Sequence, residues 1–192
     1  QYPWTDHYQG FKTCHDPKGQ GEIYIPPGWT EWYGLHGNSR YYNYPLQNKG
    51  RDGVSRCEFH GDDYEEDYLT DVLKRRAIKF LRDVANDTAS GHAQPFFMWI
   101  GTPAAHASFT PAPQYEDTAV GQRAPRTPTW NTVYQDRHQP VRELSPMTPT
   151  EVEQSDYAYR QRLGTLRSVD DMVGALFAAL VCRPDTMVAV QR

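Results

Sequence analysis

A chain of 192 residues is long enough for one domain with its own core, yet only 38% of it is hydrophobic and its formal net charge is −4. That charge leaves no footprint for a nucleic-acid partner, and no stretch approaches the roughly 18 consecutive apolar residues of a membrane-spanning helix. Three cysteines, Cys14, Cys57 and Cys182, allow at most one internal disulfide.

Residues 1–25 are polar and glycine-bearing, and read as an irregular N-terminal segment ahead of a domain over 26–192. Pro26-Pro27-Gly28 predicts a turn, and Gly28 and Gly34 favour a packed loop around Trp29, Trp32, Tyr33 and Leu35. Tyr41 to Leu46 reads as an edge strand, because Pro45 cannot donate to a ladder. Asn48-Lys49-Gly50 predicts a tight turn, and the charged stretch 51–67 has no clear period. A helix follows. Leu69, Val72, Leu73, Ala77, Phe80, Leu81 and Val84 recur at helical spacing, with Thr70 as its N-cap and an end near Asn86 to Gly91.

Phe96-Phe97-Met98-Trp99-Ile100 is a short apolar run closed by Gly101, and predicts a strand buried on both faces. Helix then buried strand is half of a parallel crossover, so the fold class expected is α/β, a mixed sheet flanked by helices. The proline-rich stretch 103–149 has little periodicity and reads as a long functional loop. Glu151 to Val181 is helical in pattern, with Gly164 and Gly174 weakening it, and Thr186 to Val190 reads as a strand.

His106 follows directly on the apolar run, where ligands of α/β sheets bind. It is a candidate acid/base or anion contact, against a plain surface-loop histidine with a local hydrogen bond. Arg137, His138 and Arg142 form a small basic cluster suited to a sulfated or carboxylated sugar, or a solvated surface. Cys14-His15 with Cys57 and His60 has zinc-ligand types, but the long gap makes a Cys14–Cys57 disulfide the better reading. Asp62, Asp63, Glu65, Glu66 and Asp67 could attract calcium, but lack loop spacing for it and read better as an exposed acidic turn. Asp170 and Asp171 read as structural, paired with Arg167. Asn86-Asp87-Thr88 is an N-glycosylation acceptor.

PPGWTEWYGL, NSRYYNYPL, HGDDYEEDYLTDVL, PFFMWIGTPAAHASFTPAPQY, APRTP, SPMTP and RQRLGTLRSVDDMV together resemble, in this order, the sulfatase family over about residues 26–180. The likeness is strongest to the branch of N-acetylglucosamine-6-sulfatases and extracellular heparan-sulfate endosulfatases. It implies an alkaline-phosphatase-like fold, a calcium ion, a formylglycine made from cysteine, a sulfated glycosaminoglycan substrate and a lysosomal or secreted location. His106 matches the histidine of the family's A-P-H-S-P segment, which faces the sulfate. Ala105 and Ala107 here replace the usual Pro and Ser. Arg137-His138 falls where the branch has Lys-His-Trp, and implies a substrate contact, with Gln139 in place of Trp.

No cysteine lies in the family's C-x-P-x-R pattern: Cys14 precedes HDPK, Cys57 precedes EFHG and Cys182 precedes RPDT. The family's paired aspartates and G-K-Y-L-N lysine are expected before residue 26, and its D-N-G metal loop after residue 190. The resemblance thus implies an internal piece, with 26–192 a partial catalytic domain that lacks nucleophile and metal-ligand segments. That piece is expected to be inactive alone, the complete protein removing 6-O-sulfate from N-acetylglucosamine units of heparan or keratan sulfate. The alternatives are an arylsulfatase on another ester, or a non-catalytic glycosaminoglycan-binding product.

Overall fold

The computed structural model describes residues 25–92 and 94–181. These fall into two compact units, one ending at Arg76 and one beginning at Ala77, so the division lies within a helix. Cys14, Cys182, the N-terminal segment and the strand expected over 186–190 lie outside the described residues.

The first unit is an antiparallel sheet of three strands, β1 (Trp32–Leu35), β2 (Tyr44–Lys49) and β3 (Ser55–His60), in the order β1-β2-β3. Trp32 to Leu35, expected as a loop, is therefore a strand, because its backbone pairs antiparallel with β2 from Trp32 opposite Lys49 to Leu35 opposite Leu46, and one glycine only loosens that ladder. β2 is central, not the edge expected from Pro45. Pro45 lies opposite His36, one residue past the end of β1, and its carbonyl accepts the His36 N–H at 3.2 Å. Its missing N–H falls where the β1 ladder has already stopped, so almost nothing is lost. β2 also runs through Asn48 and Lys49, and the turn comes later, with Gly53 N–H donating to the Gly50 carbonyl at 3.0 Å.

Two helices follow, α1 (Tyr64–Asp67) and α2 (Leu69–Ala89). Asp63 caps α1 by accepting the Glu66 N–H at 3.0 Å. Thr70 does not cap α2. It is already inside the helix, fully buried, while the Leu69 N–H is taken by the Tyr41 carbonyl at 3.0 Å. The helical stripe packs as its spacing predicts: Leu69 and Val72 join Tyr44 and Leu46 in the core, with Leu35 and Leu73 against it. Each such side chain is worth roughly 1.5–3 kcal/mol on burial.

The second unit holds the end of α2, a 3-10 turn at Pro113–Tyr115, the single-turn α3 (Gln139–Arg142) and the long α4 (Pro149–Val181). The run Phe96 to Ile100 is not a buried strand. It lies in no strand, and Phe97 and Trp99 are 71% and 77% exposed. A strand needs neighbours to take its N–H and C=O groups, and the three described strands pair only with one another. The described sheet is accordingly antiparallel rather than mixed, while sheet and helices together still make an α/β composition.

Candidate active-site loop and basic recess

The chain leaves the apolar run through Gly101 and Thr102, and Pro103 is buried. Two successive turns follow: the His106 N–H donates to the Pro103 carbonyl at 2.8 Å, and the Phe109 N–H to the His106 carbonyl at 3.0 Å. Pro111 and Ala112 then return to the interior. His106 is the exposed apex of this loop. Its Nδ1 lies 2.7 Å from the Ala107 carbonyl oxygen. A carbonyl only accepts, so Nδ1 is the donor in this contact.

The loop is seated on α4. An ideal Cβ on Gly164 would lie 2.9 Å from both Pro111 Cγ and the Tyr115 carbonyl oxygen, so only glycine permits this approach. Sequence spacing reads Gly164 as a weak point of the helix; packing makes it the contact point. Tyr115 donates its hydroxyl to Asp171, and the Arg162 guanidinium lies 5.8 Å from the Phe109 ring centre. Asp170 lies 4.0 Å from Arg167 at the exposed surface.

Arg137, His138 and Arg142 are brought together. With Asp136 and Gln139 they line an open recess of about 330 Å³. Arg137 also covers the Tyr134 ring at 5.5 Å and lies 3.8 Å from Asp136. His106 is not among the lining residues. The segment leading to the recess is fixed to α4 by Asp156, whose Oδ1 accepts the Ala124 N–H at 2.9 Å and whose Oδ2 accepts Arg126 Nη2 at 2.6 Å. Arg126 beside it, helped by that N–H against the cost of burial, holds the Asp156 carboxyl below the usual carboxylate range. The Arg126 guanidinium stacks on Trp130 at 4.1 Å. On the far side, Thr148 and Glu151 form a capping box at the start of α4, and the Thr148 N–H and hydroxyl hold the Glu151 carboxyl low.

Asn131, Asp156 and Gly164 are the residues that sequence reading misses. The Thr148-x-x-Glu151 spacing is a helix-start signal that sequence reading passes over, placing the start at Glu151.

Asn86 is exposed in the last turn of α2. Cys57 is disulfide-bonded, so the zinc arrangement with His60 does not form, and its partner lies outside the described residues. His60 is instead held by Asp67, with Nδ1 to Oδ1 at 3.1 Å. Among the described residues no three His, Cys, Asp or Glu side chains are grouped to hold a metal ion, the acidic turn at 62–67 included.

A family model described as "Sulfatase" matches residues 7–191. An N-acetylglucosamine-6-sulfatase of Capra hircus is 39% identical over 165 residues, which is 85% of this chain and 28% of that protein. An extracellular sulfatase SULF-1 homolog of Drosophila melanogaster is 33% identical over 158 residues, 82% of this chain and 14% of the fly protein. A sulfatase ppz1 of Metarhizium majus is 28% identical over 128 residues, covering 62% of this chain and 29% of the fungal one. The chain thus spans well under a third of the length of these relatives.

Proposed function

The chain belongs to the sulfatase family, and we propose that the protein carrying it is a sulfuric ester hydrolase that removes 6-O-sulfate from N-acetylglucosamine units of heparan or keratan sulfate. What supports the substrate class is the recess, where Arg137, His138 and Arg142 line one open concavity together with Asp136 and Gln139. Such a set favours an anionic, branched ligand over a small neutral ester, because guanidinium presents paired donors to sulfate or carboxylate.

In this reading His106 serves the reacting ester and the recess serves the rest of the saccharide. Breaking the ester S–O bond places charge on the departing sugar oxygen, which must end as an alcohol. With Nδ1 fixed on the Ala107 carbonyl, His106 offers Nε2 to that oxygen or to the sulfate oxygens. Arg137, His138 and Arg142 bind and orient neighbouring anionic groups. The calcium ion and formylglycine implied by the family find no holders among the described residues: no ligand triad is present there, and the one described cysteine is in a disulfide.

The placement of 26–192 as part of a catalytic domain, and the inactivity of the chain by itself, belong to the same proposal. They rest on the missing C-x-P-x-R pattern. A lysosomal or secreted location and glycan attachment at Asn86 are supported by the Cys57 disulfide and by the exposure of that asparagine. No helix among the described residues is long and apolar enough to cross a membrane.

The test compares the complete protein on a 6-O-sulfated N-acetylglucosamine disaccharide and on a small aryl sulfate. Arg137→Ala with His138→Ala is expected to raise KM for the disaccharide by roughly tenfold or more, one or two charge-assisted hydrogen bonds, and to leave the aryl sulfate untouched. Preference for the aryl sulfate, unaltered by the substitutions, would select the arylsulfatase alternative. Heparin binding without turnover of either ester would select the non-catalytic one.

A further inference from the structure

The two stems of the loop bearing the recess are joined to each other by Asn131. Asn131 Oδ1 accepts the Met147 N–H, and Asn131 Nδ2 donates to the Met147 carbonyl oxygen at 3.3 Å. One amide thus satisfies both backbone groups of a residue sixteen positions away. Asn131 adopts φ of 50°, a left-handed conformation that asparagine tolerates better than most residues. Its neighbour Trp130 is fixed by Arg126 and, through it, by Asp156. Met147 runs directly into the Thr148–Glu151 cap of α4. Both stems are therefore anchored, and they are joined to each other at Asn131.

Beyond the neck the loop depends on itself. Among the described residues, the hydrogen bonds of the recess stay local: Arg137 N–H to the Tyr134 carbonyl, Val141 and Arg142 N–H to the His138 carbonyl, Gln139 Nε2 to Glu143. Loop closure is what converts two anchored stems into a fixed recess, since an open loop of this length would spread its cations over many positions.

We propose that Asn131 is a positioning residue for recognition of the sulfated sugar: its amide clasp fixes where Arg137, His138 and Arg142 stand relative to the ester. The inference rests on the reading of the recess given above. It is tested in the complete protein with Asn131→Ala, Asn131→Gly and Asn131→Asp, beside the control Arg137→Ala with Arg142→Ala. KM and kcat are measured on the 6-O-sulfated disaccharide and on the aryl sulfate. Asn131→Ala and Asn131→Gly are expected to raise the disaccharide KM by roughly tenfold, with kcat and the aryl sulfate constants within about twofold. Asn131→Gly takes φ of 50° without strain, so its agreement with Asn131→Ala assigns the effect to the clasp. Asn131→Asp keeps an acceptor for the Met147 N–H, and is expected to restore part of the loss.

An unchanged disaccharide KM in Asn131→Gly, with the control raised, would overturn the positioning role while leaving the recess intact. An equal fall of kcat on both substrates would make Asn131 a scaffold residue only. An unchanged KM in the control would overturn the recess itself, and this inference with it. Should Asn131→Ala not fold, Asn131→Gly, which removes the clasp without strain at φ of 50°, decides: a disaccharide KM at the native value sinks the proposal.

Discussion

The two units are built on opposite interiors. In the first, Tyr44, Leu46, Leu69 and Val72 form an apolar core between sheet and helix, with Asn48, Thr70 and Asp71 buried as well. In the second, the residues buried along α4 and its covering segment are small or polar: Ala112, Ala119, Ala124, Asp156, Gly164, Thr165 and Ser168, with Met172 the large exception. Several of its bulky apolar side chains, Phe97, Trp99, Phe177 and Leu180, are exposed instead, while Leu81 on α2 is buried. Apolar burial is non-directional and fixes a fold; short-range polar clamps fix the position of particular loops. Both loops of the candidate site belong to the second kind. Changes there should act on chemistry and binding, and changes in the first unit on stability.

The sharpest test of that division is His106→Ala in the complete protein. Loss of an acid/base group typically costs roughly 10²–10⁴-fold in turnover. The loop itself should persist, since its turns are made by backbone groups of Pro103, His106 and Phe109. Turnover at the native level would return His106 to the plain reading of a surface histidine, hydrogen-bonded to its own neighbour.

In the first unit, Leu46→Ala is expected to cost about 2–5 kcal/mol of unfolding free energy, the range for deleting a fully buried leucine. Denaturant unfolding of the folded protein measures it. The disaccharide KM of whatever remains folded should not move, because Leu46 lies in the apolar core and the recess is made elsewhere. A changed KM with unchanged stability would reverse the assignment of roles.

The sequence disclosed these two interiors unequally, for physical reasons. Helical periodicity over 69–84 and 151–180 is a local signal, and both helices stand where it places them. Position after the apolar run, and then motif likeness, nominated His106; residue type grouped Arg137, His138 and Arg142, which line one recess. Strand status is not local. Trp32 to Leu35 and Ser55 to His60 became strands because β2 lies between them, whereas Phe96 to Ile100 has the better strand composition and lies in none. The clamps were the least legible. Asn131, Asp156 and Gly164 are ordinary residues until Met147, Arg126 and Pro111 arrive beside them, over separations that no periodicity encodes.

The smallest expected effect separates the interiors by pH. Arg126 holds Asp156 below the ordinary carboxylate value, so the clamp is complete above about 3.9 and is lost as pH falls through the lower folded value. Burial, reinforced by the charge of Asp67, pushes the Tyr44 phenol well above its usual value. Its contribution is therefore complete below about 10 and is lost as pH climbs beyond that. The second unit should loosen first in acid, and the first unit first in alkali. Exchange protection of the Ala124 amide, the donor to Asp156, should fall in acid only below the ordinary carboxylate range in the native protein, and show no such step in Asp156→Asn. An alkaline transition in near-ultraviolet absorbance should likewise shift between the native protein and Tyr44→Phe. If Asp156→Asn shows the same acid-driven loss of Ala124 protection as the native protein, the carboxylate is not what fastens the segment to α4, and the contrast between an apolar and a clamped interior fails at its polar end.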